Sequence, residues 1–294
     1  MKLRRILITG GTGQVGTELL QCQWPSDIKL VAPSRRELDL SNCDQIEQYI
    51  AEGEFSAVVN SGAYTAVDRA ENEILAAWRT NALAPAAIAA ATKACGIPIV
   101  HVSTDYVFDG AKGAPYAEED CVAPLGVYGA SKEAGEQAVR TANPRHVILR
   151  TAWVFSPHGS NFVKTMLRLG KERPLIRVVN DQRGCPTAAV DIAEALSTIA
   201  LRLIEDKGSP VGTYNFVNAG DATWYEFACE IFEQRRSARY PIPKIESIET
   251  HEYPTLAQRP ANSLLATDKW SRDFGWKPRH WRMALHEVLA SMQD

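Results

Sequence analysis

At 294 residues the chain is long enough for one large domain or two smaller ones, and it could bury about three quarters of the surface that it exposes when unfolded. A net charge of −3 with dispersed basic residues argues against a nucleic-acid-binding protein, and no segment reads as a signal peptide or approaches transmembrane length. Six scattered cysteines without a Cys-x-x-Cys spacing predict reduced thiols and a cytoplasmic protein.

The chain begins with a glycine-rich turn between a strand and a helix. Residues 5–9 form a short apolar run that predicts a buried strand, and residues 14–22 carry a helical pattern. Glycines in the turn permit close approach of the backbone to a pyrophosphate, which the helix N-terminus attracts. We therefore predict nucleotide binding here, by residues Gly10, Gly13, Gln14, Val15 and Gly16.

The second predicted strand, 28–32, bears on cofactor choice. Rossmann-type folds that select NAD usually end this strand with a carboxylate that binds the ribose hydroxyls. Here Ser34, Arg35 and Arg36 follow instead, and a guanidinium matches the geometry of a 2′-phosphate. The segment therefore favours NADPH and leaves NADH open.

A hydroxyl follows the apolar run 97–102, which has the length of a strand. Thr104 then lies at the carboxyl end of a central strand, where parallel sheets bind their ligands. From this position Thr104 could hydrogen-bond a substrate carbonyl oxygen. Strand, hydroxyl and a later Tyr-x-x-x-Lys pair occur in this order in short-chain dehydrogenases/reductases.

The Tyr-x-x-x-Lys pair is Tyr128 and Lys132, at the start of a predicted helix over 128–142. Residues four apart lie on one face of a helix. The ammonium can lower the pKa of the phenol and bind a nicotinamide ribose, while the phenol gives a proton to a carbonyl oxygen. We predict Thr104, Tyr128 and Lys132 as the catalytic set.

Alternating strands and helices in the first half predict an α/β fold with a Rossmann-type, doubly wound parallel sheet. Further strands are predicted over 57–60 and 146–150, and further helices over 43–52 and 70–94, the latter broken near Pro85. We predict a dinucleotide-binding domain over 1–150 and a smaller substrate-binding part over 151–294. A helix over 188–205 is predicted to return and pack on the sheet.

Beyond these motifs, the chain resembles the dTDP-4-dehydrorhamnose reductases of the extended short-chain dehydrogenase/reductase family. Eight segments carry the resemblance, in the order found in that family, and they span most of the chain: 10–16, 58–68, 103–108, 128–132, 150–155, 161–162, 180–187 and 259–263. The strings Ser-Thr-Asp-Tyr-Val-Phe and Asn-Asp-Gln-x-Gly-x-Pro-Thr are far more specific than the glycine loop.

The resemblance implies an enzyme that reduces the C4 ketone of dTDP-4-dehydro-6-deoxy-L-mannose to dTDP-L-rhamnose, which supplies lipopolysaccharide O-antigen or other cell-surface polysaccharide. Hydride would come from the nicotinamide and the proton from Tyr128. Further cofactor contacts come partly from the motifs above and partly from the resemblance. They are Ser34, Arg35, Asp39, Leu40, Ala63, Tyr64, Thr65, Tyr128 and Lys132. Substrate contacts would be Thr104, Asp105, Trp153, Asn161 and Arg259.

Other functions stay open at this point. A sugar-nucleotide 4,6-dehydratase resembles this fold but carries a glutamate where Tyr106 stands, and a 4-epimerase would more naturally carry an acid after the second strand. A non-catalytic nucleotide-binding regulatory subunit would not need the complete Thr-Tyr-Lys set. A 4-ketoreductase that gives the 6-deoxytalose epimer differs only in how the pocket turns the sugar.

The expected partner is a small-molecule sugar nucleotide, with no nucleic acid, no membrane and the question of a homodimer open. The histidines have no metal-ligand spacing and no carboxylate cluster requires a metal. Isolated acids such as Glu18 or Asp191 could nevertheless meet Mg²⁺ at an interface.

Overall fold

The computed structural model describes residues 3–236 and 242–292. Its helices and strands, in chain order, are β1 (Arg4–Thr9), α1 (Gln14–Gln21), β2 (Ile28–Val31), α2 (Cys43–Glu52), β3 (Phe55–Asn60), α3 (Val67–Ala70), α4 (Ile74–Trp78), a π-helical turn (Arg79–Leu83), α5 (Ala84–Ala94), β4 (Ile99–Thr104), a 3₁₀ turn (Asp105–Val107), α6 (Val127–Ala142), β5 (His146–Thr151), β6 (Val154–Phe155), α7 (Phe162–Glu172), β7 (Leu175–Val179), β8 (Arg183–Gly184), β9 (Thr187–Ala188), α8 (Ala189–Glu205), β10 (Gly212–Asn215), β11 (Ala222–Thr223), α9 (Trp224–Arg235), β12 (Lys244–Ile248), a second 3₁₀ turn (Thr250–Glu252), α10 (Asp268–Phe274) and α11 (Trp281–Ser291).

Six parallel strands form the central sheet in the order β2-β1-β3-β4-β5-β10. From β1 the chain moves outward to β2 and then crosses to β3 on the other side. The carboxyl ends of β1 and β3 therefore flank the crevice in which doubly wound sheets bind ligands. The predicted fold class is confirmed, and the five predicted strands all occur in the sheet.

Helices cover both faces of this sheet. One face packs on α2, α5 and α6 through a cluster that includes Leu7, Ile50 and Ile88. The other face packs on α8 through Ile8, Val59 and Leu196, all without exposed surface. Burial on both faces explains why β1, β3, β4 and β5 carry continuous apolar runs rather than alternating patterns.

Two elements from beyond residue 150 belong to the sheet layers. Helix α8 packs on one face of the sheet, and β10 pairs with β5 so that Tyr214 lies beside Leu149. The sequence analysis did not predict β10, because its four residues, Gly-Thr-Tyr-Asn, have no apolar run. The remaining elements form a second core around α7, α9 and α11, with Phe227 and Trp281 at its centre.

The region predicted as helical over 70–94, with a break near Pro85, is interrupted close to its start and distorted just before Pro85. Residues 71–73 are not helical, and the π-helical turn lies directly before Pro85. Because Pro85 has no N–H, the carbonyl of Asn81 lacks its usual helical donor. Gly135 of α6 packs against that carbonyl, where a Cβ would overlap the oxygen. The distortion lies where the π-helical turn packs against α6.

The continuous helical run Ile74–Ala94 is 21 residues long and, by length and composition alone, apolar enough to cross a membrane. This differs from the expectation that no segment approaches transmembrane length. Half of the run is buried inside the protein, and Ile88 belongs to the core beneath the sheet. Its apolar residues are accounted for in part by packing within the fold.

Candidate active site

The start of α6 brings the Tyr128 side chain to the end of β4. Gly129 packs against the carbonyl of Tyr106, and a Cβ there would overlap that oxygen. Glu71 accepts a hydrogen bond of 2.8 Å from the N–H of Val127, in the first turn of the helix. A glycine and a carboxylate thus set the position of the helix that carries the predicted catalytic pair.

The Tyr128 hydroxyl lies near the Thr104 hydroxyl at the end of β4. The Tyr128 ring meets the Tyr106 ring edge to face, with 5.5 Å between the centroids. Burial raises the pKa of Tyr128 to about 12, and the nearby Thr104 hydroxyl opposes this shift. The phenol therefore carries its proton at neutral pH, as an acid catalyst must.

Lys132 lies one turn further along α6 and is 2% exposed. Its Nζ donates a hydrogen bond of 2.6 Å to the carbonyl of Val102 in β4. Burial lowers the pKa of Lys132 to about 8, and the nearby Glu136 carboxylate opposes this shift. The ammonium is thus fixed between α6 and the sheet with donor capacity left for a ribose hydroxyl.

A buried ion cluster lies below Lys132. The Glu136 carboxylate accepts hydrogen bonds from Arg150 Nε and Nη2 at 2.9 and 2.7 Å, and from Arg140 Nη1 at 2.9 Å. Burial acts to raise the pKa of Glu136, but the hydrogen bonds and charge of Arg150, together with Ser103 and Arg140, outweigh it and hold the pKa below its usual value. Glu136 is unexposed and Arg150 is 2% exposed. This cluster ties α6 to β5 and was not predicted.

Thr104 ends β4 and is 5% exposed. Its hydroxyl donates to Asp105 Oδ1 at 2.9 Å and accepts from the N–H of Tyr106 at 3.2 Å. Asp105, predicted as a substrate contact, is 2% exposed and lies behind Thr104. The structure thus brings the three predicted catalytic side chains together at the carboxyl edge of the sheet.

The glycine loop forms the expected phosphate cradle at the N-terminus of α1. Gly10 has a φ of +73°, which favours glycine, and its carbonyl accepts a 2.9 Å hydrogen bond from the Gly13 N–H. A Cβ on Gly16 would overlap that same carbonyl. No side chain caps the helix at Gly13, so backbone N–H groups at this end are available to an anion. These residues fit a dinucleotide pyrophosphate.

The predicted adenosine contacts lie beside this loop. The Ser34 hydroxyl donates to Glu37 at 2.7 Å, and the Arg35 side chain, 86% exposed, lies 3.8 Å from Asp39 Oδ1. An exposed ion pair of this kind is weak and can exchange for a phosphate. Leu40 packs against Gly62 at the end of β3.

Asn81 is an additional site residue that the sequence analysis missed. It is unexposed in the π-helical turn, and its Oδ1 accepts a 2.8 Å hydrogen bond from the Tyr64 N–H. Its Nδ2 donates to the Tyr64 carbonyl at 3.0 Å and to the Ser131 hydroxyl at 3.1 Å. Asn81 thereby holds the predicted contacts Ala63, Tyr64 and Thr65 next to α6. An asparagine within an otherwise apolar helix was the available signal.

On the substrate side, Trp153 has a φ of +46°, an uncommon conformation for a bulky residue. Its ring stacks on Trp224 with 3.4 Å between centroids, and its edge packs on Gly184. Functional sites often hold such strained backbone. The observation supports a binding role for this aromatic pair.

The two remaining predicted substrate contacts are engaged within the protein. Asn161 caps α7, and its Nδ2 donates to Gln14 Oε1 and to the Ser156 carbonyl, both at 2.8 Å. The Arg259 guanidinium binds both oxygens of Asp68 at 2.7 and 3.1 Å. Asn161 therefore links the glycine loop to the second half of the chain, and Arg259 links α3 to the segment before α10.

Metal ligands are not clustered. No group of three or more His, Cys, Asp or Glu side chains that could hold a metal ion occurs within 3–236 and 242–292. Glu18 lies near Asp191, and its Oε1 is 3.6 Å from His158 Nε2. Burial raises the pKa of Glu18.

A doubly wound parallel sheet, a phosphate cradle and a Thr-Tyr-Lys set at the carboxyl edge define an oxidoreductase of the extended short-chain dehydrogenase/reductase type. The chain belongs to the family described as the RmlD substrate binding domain, whose model matches residues 4–294. A dTDP-4-dehydrorhamnose reductase of Sinorhizobium fredii is 42% identical over 97% of this chain and 96% of its own length.

Solved structures give the same relationship. A crystal structure of a dTDP-4-dehydrorhamnose reductase from Clostridium acetobutylicum has a TM-score of 0.91 and 36% identity over 99% of this chain and all of its own. The corresponding protein of Bacillus anthracis, in complex with NADP, has a TM-score of 0.90 and 35% identity over 99% of each chain. The resemblance stated from the motifs is confirmed at the level of the family.

Proposed function

We propose that this protein is an NADPH-dependent reductase that converts dTDP-4-dehydro-6-deoxy-L-mannose to dTDP-L-rhamnose. The observation that carries the proposal is the placement of Tyr128 near Thr104 at the carboxyl end of β4, with Lys132 one helical turn away and bound to the same strand. The substrate class is taken from relatives of this chain that are named dTDP-4-dehydrorhamnose reductase. The complete catalytic set argues against a non-catalytic subunit.

In this proposal NADPH supplies the hydride when it is bound. Tyr128 donates its proton to the C4 oxygen of the sugar, and Thr104 orients that oxygen by a hydrogen bond. Lys132 binds the nicotinamide ribose and stabilises the Tyr128 phenolate after proton transfer. The cradle of Gly10, Gly13 and Gly16 holds the pyrophosphate.

The same proposal assigns the nucleotide-sugar to the residues beyond 150, with Trp153, Asn161 and Arg259 as contacts. The Trp153–Trp224 stack would contact the sugar ring. All six cysteines are free, which supports a reducing, cytoplasmic location.

The proposal is tested by mixing the purified protein with NADPH and enzymatically generated keto-sugar nucleotide and following the loss of nicotinamide absorbance. Product configuration at C4 is read by NMR. A rhamnosyl product is expected. A 6-deoxytalosyl product would mean that the ketone is reduced to the opposite configuration at C4, and the proposed product would be wrong. No oxidation of NADPH or NADH by folded, cofactor-binding protein would contradict the proposal.

Arg35→Ala is expected to weaken NADPH binding about 10- to 160-fold, because a charge-assisted hydrogen bond to phosphate is worth about 1.5–3 kcal/mol. NADH lacks the 2′-phosphate, so its affinity serves as the internal control and is expected to change less than about twofold. Isothermal titration of both cofactors measures the difference. Equal weakening of NADPH and NADH would mean that Arg35 does not contact the 2′-phosphate.

Lys132 gives a pH dependence with a definite sign. Its pKa is lowered to about 8, so the ammonium is charged below that pH and neutral above it. Cofactor affinity is therefore expected to fall as pH rises through about 8. Lys132→Met should bind NADPH more weakly and with no such step, and a step of the same size in this variant would assign the titration to another group.

A further inference from the structure

The Thr104 hydroxyl can donate its proton to only one acceptor at a time. A threonine hydroxyl has one proton and two lone pairs. In the structure the proton goes to Asp105 Oδ1 at 2.9 Å, and one lone pair accepts the Tyr106 N–H at 3.2 Å. The Tyr128 hydroxyl lies near the same oxygen. In this arrangement the Thr104 proton is held by Asp105 and is not available to a substrate ketone.

The surroundings of Asp105 make ionisation of its carboxyl group unfavourable. It is 2% exposed, its Oδ2 has no hydrogen-bond partner, and no ion pair joins it to a cation in the described parts of the chain. The titratable groups that face it are Tyr106 on its own turn, Tyr128 on α6 and Cys185 before β9, none of them a cation. The Ser263 hydroxyl and the backbone N–H groups of Asp105 and Tyr106 also lie near the carboxyl group and oppose the effect of burial, but burial is the larger influence. A buried carboxyl group without a cation favours its neutral form.

From this geometry we infer that Asp105 is a positioning residue that sets the direction of the Thr104 proton, and that ketone reduction uses the neutral form of Asp105. The inference rests on the proposed function. When Asp105 is neutral, its O–H donates to Thr104 Oγ1. Because Oγ1 then accepts from Asp105 and from the Tyr106 N–H, its lone pairs are filled, and the protons of Thr104 and Tyr128 both turn toward the ketone oxygen.

When Asp105 is ionised, the bonds reverse. Thr104 donates to the carboxylate, as observed, and its free lone pair attracts the Tyr128 proton. Both donors are then withdrawn from the ketone. Burial raises the pKa of Asp105 to about 6, so the neutral form is lost as pH rises through that value. The hydrogen bonds to the ketone are lost with it.

The kinetic test compares kcat/KM for ketone reduction from pH 5.5 to 7.5, below the range in which Lys132 loses its charge. The native protein is expected to lose about tenfold over this range, because losing a donor to a developing oxyanion costs that much or more. Asp105→Asn has an amide that always donates to Thr104, so its profile should be flat. Asp109→Asn, the same change four residues along, should retain the decline of the native protein.

Thr104→Val distinguishes an action through Thr104 from a direct one. In this variant Asp105 has no hydroxyl to orient. The Thr104→Val protein should therefore react more slowly but show no decline in kcat/KM over the same pH range. Adding Asp105→Asn to it should not change kcat/KM further. A decline that persists in Asp105→Asn, or in Thr104→Val, would overturn the inference.

A second readout needs no turnover. The infrared band of the protonated Asp105 carboxyl, obtained by subtracting spectra of Asp105→Asn from those of the native protein with NADP⁺, should be present at pH 5 and vanish by pH 8. Its absence at pH 5 would overturn the inference. If keto-sugar reduction fails at every pH the proposed function is rejected, while this titration still decides the protonation of Asp105.

Discussion

Replacing Tyr128 by phenylalanine is expected to lower kcat about 10²- to 10⁴-fold while NADPH still binds, because the change removes the proton donor and little else. The ring keeps its edge contact with Tyr106, and the ammonium of Lys132 keeps its bond to the Val102 carbonyl. Initial rates of NADPH oxidation and the cofactor Kd from isothermal titration measure the two quantities separately.

The matched control is Tyr106→Phe, which removes a hydroxyl from the partner ring of the same aromatic pair. Its rate is expected to stay within about tenfold of the native protein, since the loss of a hydroxyl that does not supply the proton costs about 1 kcal/mol. If Tyr128→Phe retained native turnover, or if both variants lost it equally, Tyr128 could not be the specific proton donor.

Glu136→Gln is expected to lower the free energy of unfolding by about 3–5 kcal/mol, the usual cost of leaving one member of a buried ion pair without its partner. Glu136 is unexposed and receives three hydrogen bonds from Arg150 and Arg140. The amide keeps the shape of the carboxylate but leaves the buried Arg150 charge uncompensated. Urea unfolding followed by circular dichroism measures the loss.

The control for this change is Glu133→Gln on the same helix. Glu133 lies 3.8 Å from Arg140 and is 28% exposed, so its removal should cost at most about 1 kcal/mol. The double variant Glu136→Gln with Arg150→Met should recover part of the lost stability, because no buried charge is then left unpaired. Equal stability of Glu136→Gln and Glu133→Gln would show that Arg150 finds another partner or water.

The pH dependence of this pair follows from the depressed pKa of Glu136. Its contribution to stability is present above the ordinary carboxyl pKa and is lost as pH falls through the lowered value. Acid unfolding of the native protein should therefore include a component that Glu136→Gln lacks.

Much of the fold was predictable because parallel strands buried on both faces leave continuous apolar runs in the sequence. Helices α2, α6 and α8 were predicted to within a residue at each end. Strand β10 was not, because Tyr214 is its one large apolar residue and the strand exists through pairing with β5. The local sequence pattern does not predict pairing with a strand that is distant in the sequence.

The catalytic set was predictable for a different reason. The position of Thr104 is predicted by the end of the apolar run before it. The four-residue spacing of Tyr128 and Lys132 predicts that both lie on the same face of a helix. The partners of buried polar groups were not predictable, since Asn81 meets Tyr64, and Glu136 meets Arg150, only after the chain has folded. For the same reason the sequence gives no sign that Arg259 is held by Asp68.

The central claim is that a hydride reaches C4 of the sugar within the site formed by Thr104, Tyr128 and Lys132. It is tested most directly by supplying NADPH that carries deuterium at the transferable position, with the keto-sugar nucleotide, and locating the label in the product by NMR. Deuterium at C4 of a rhamnosyl product in the native protein, and none in Tyr128→Phe over the same time, is the expected result. Consumption of NADPH without deuterium at C4, or labelled product formed equally by Tyr128→Phe, would contradict the claim.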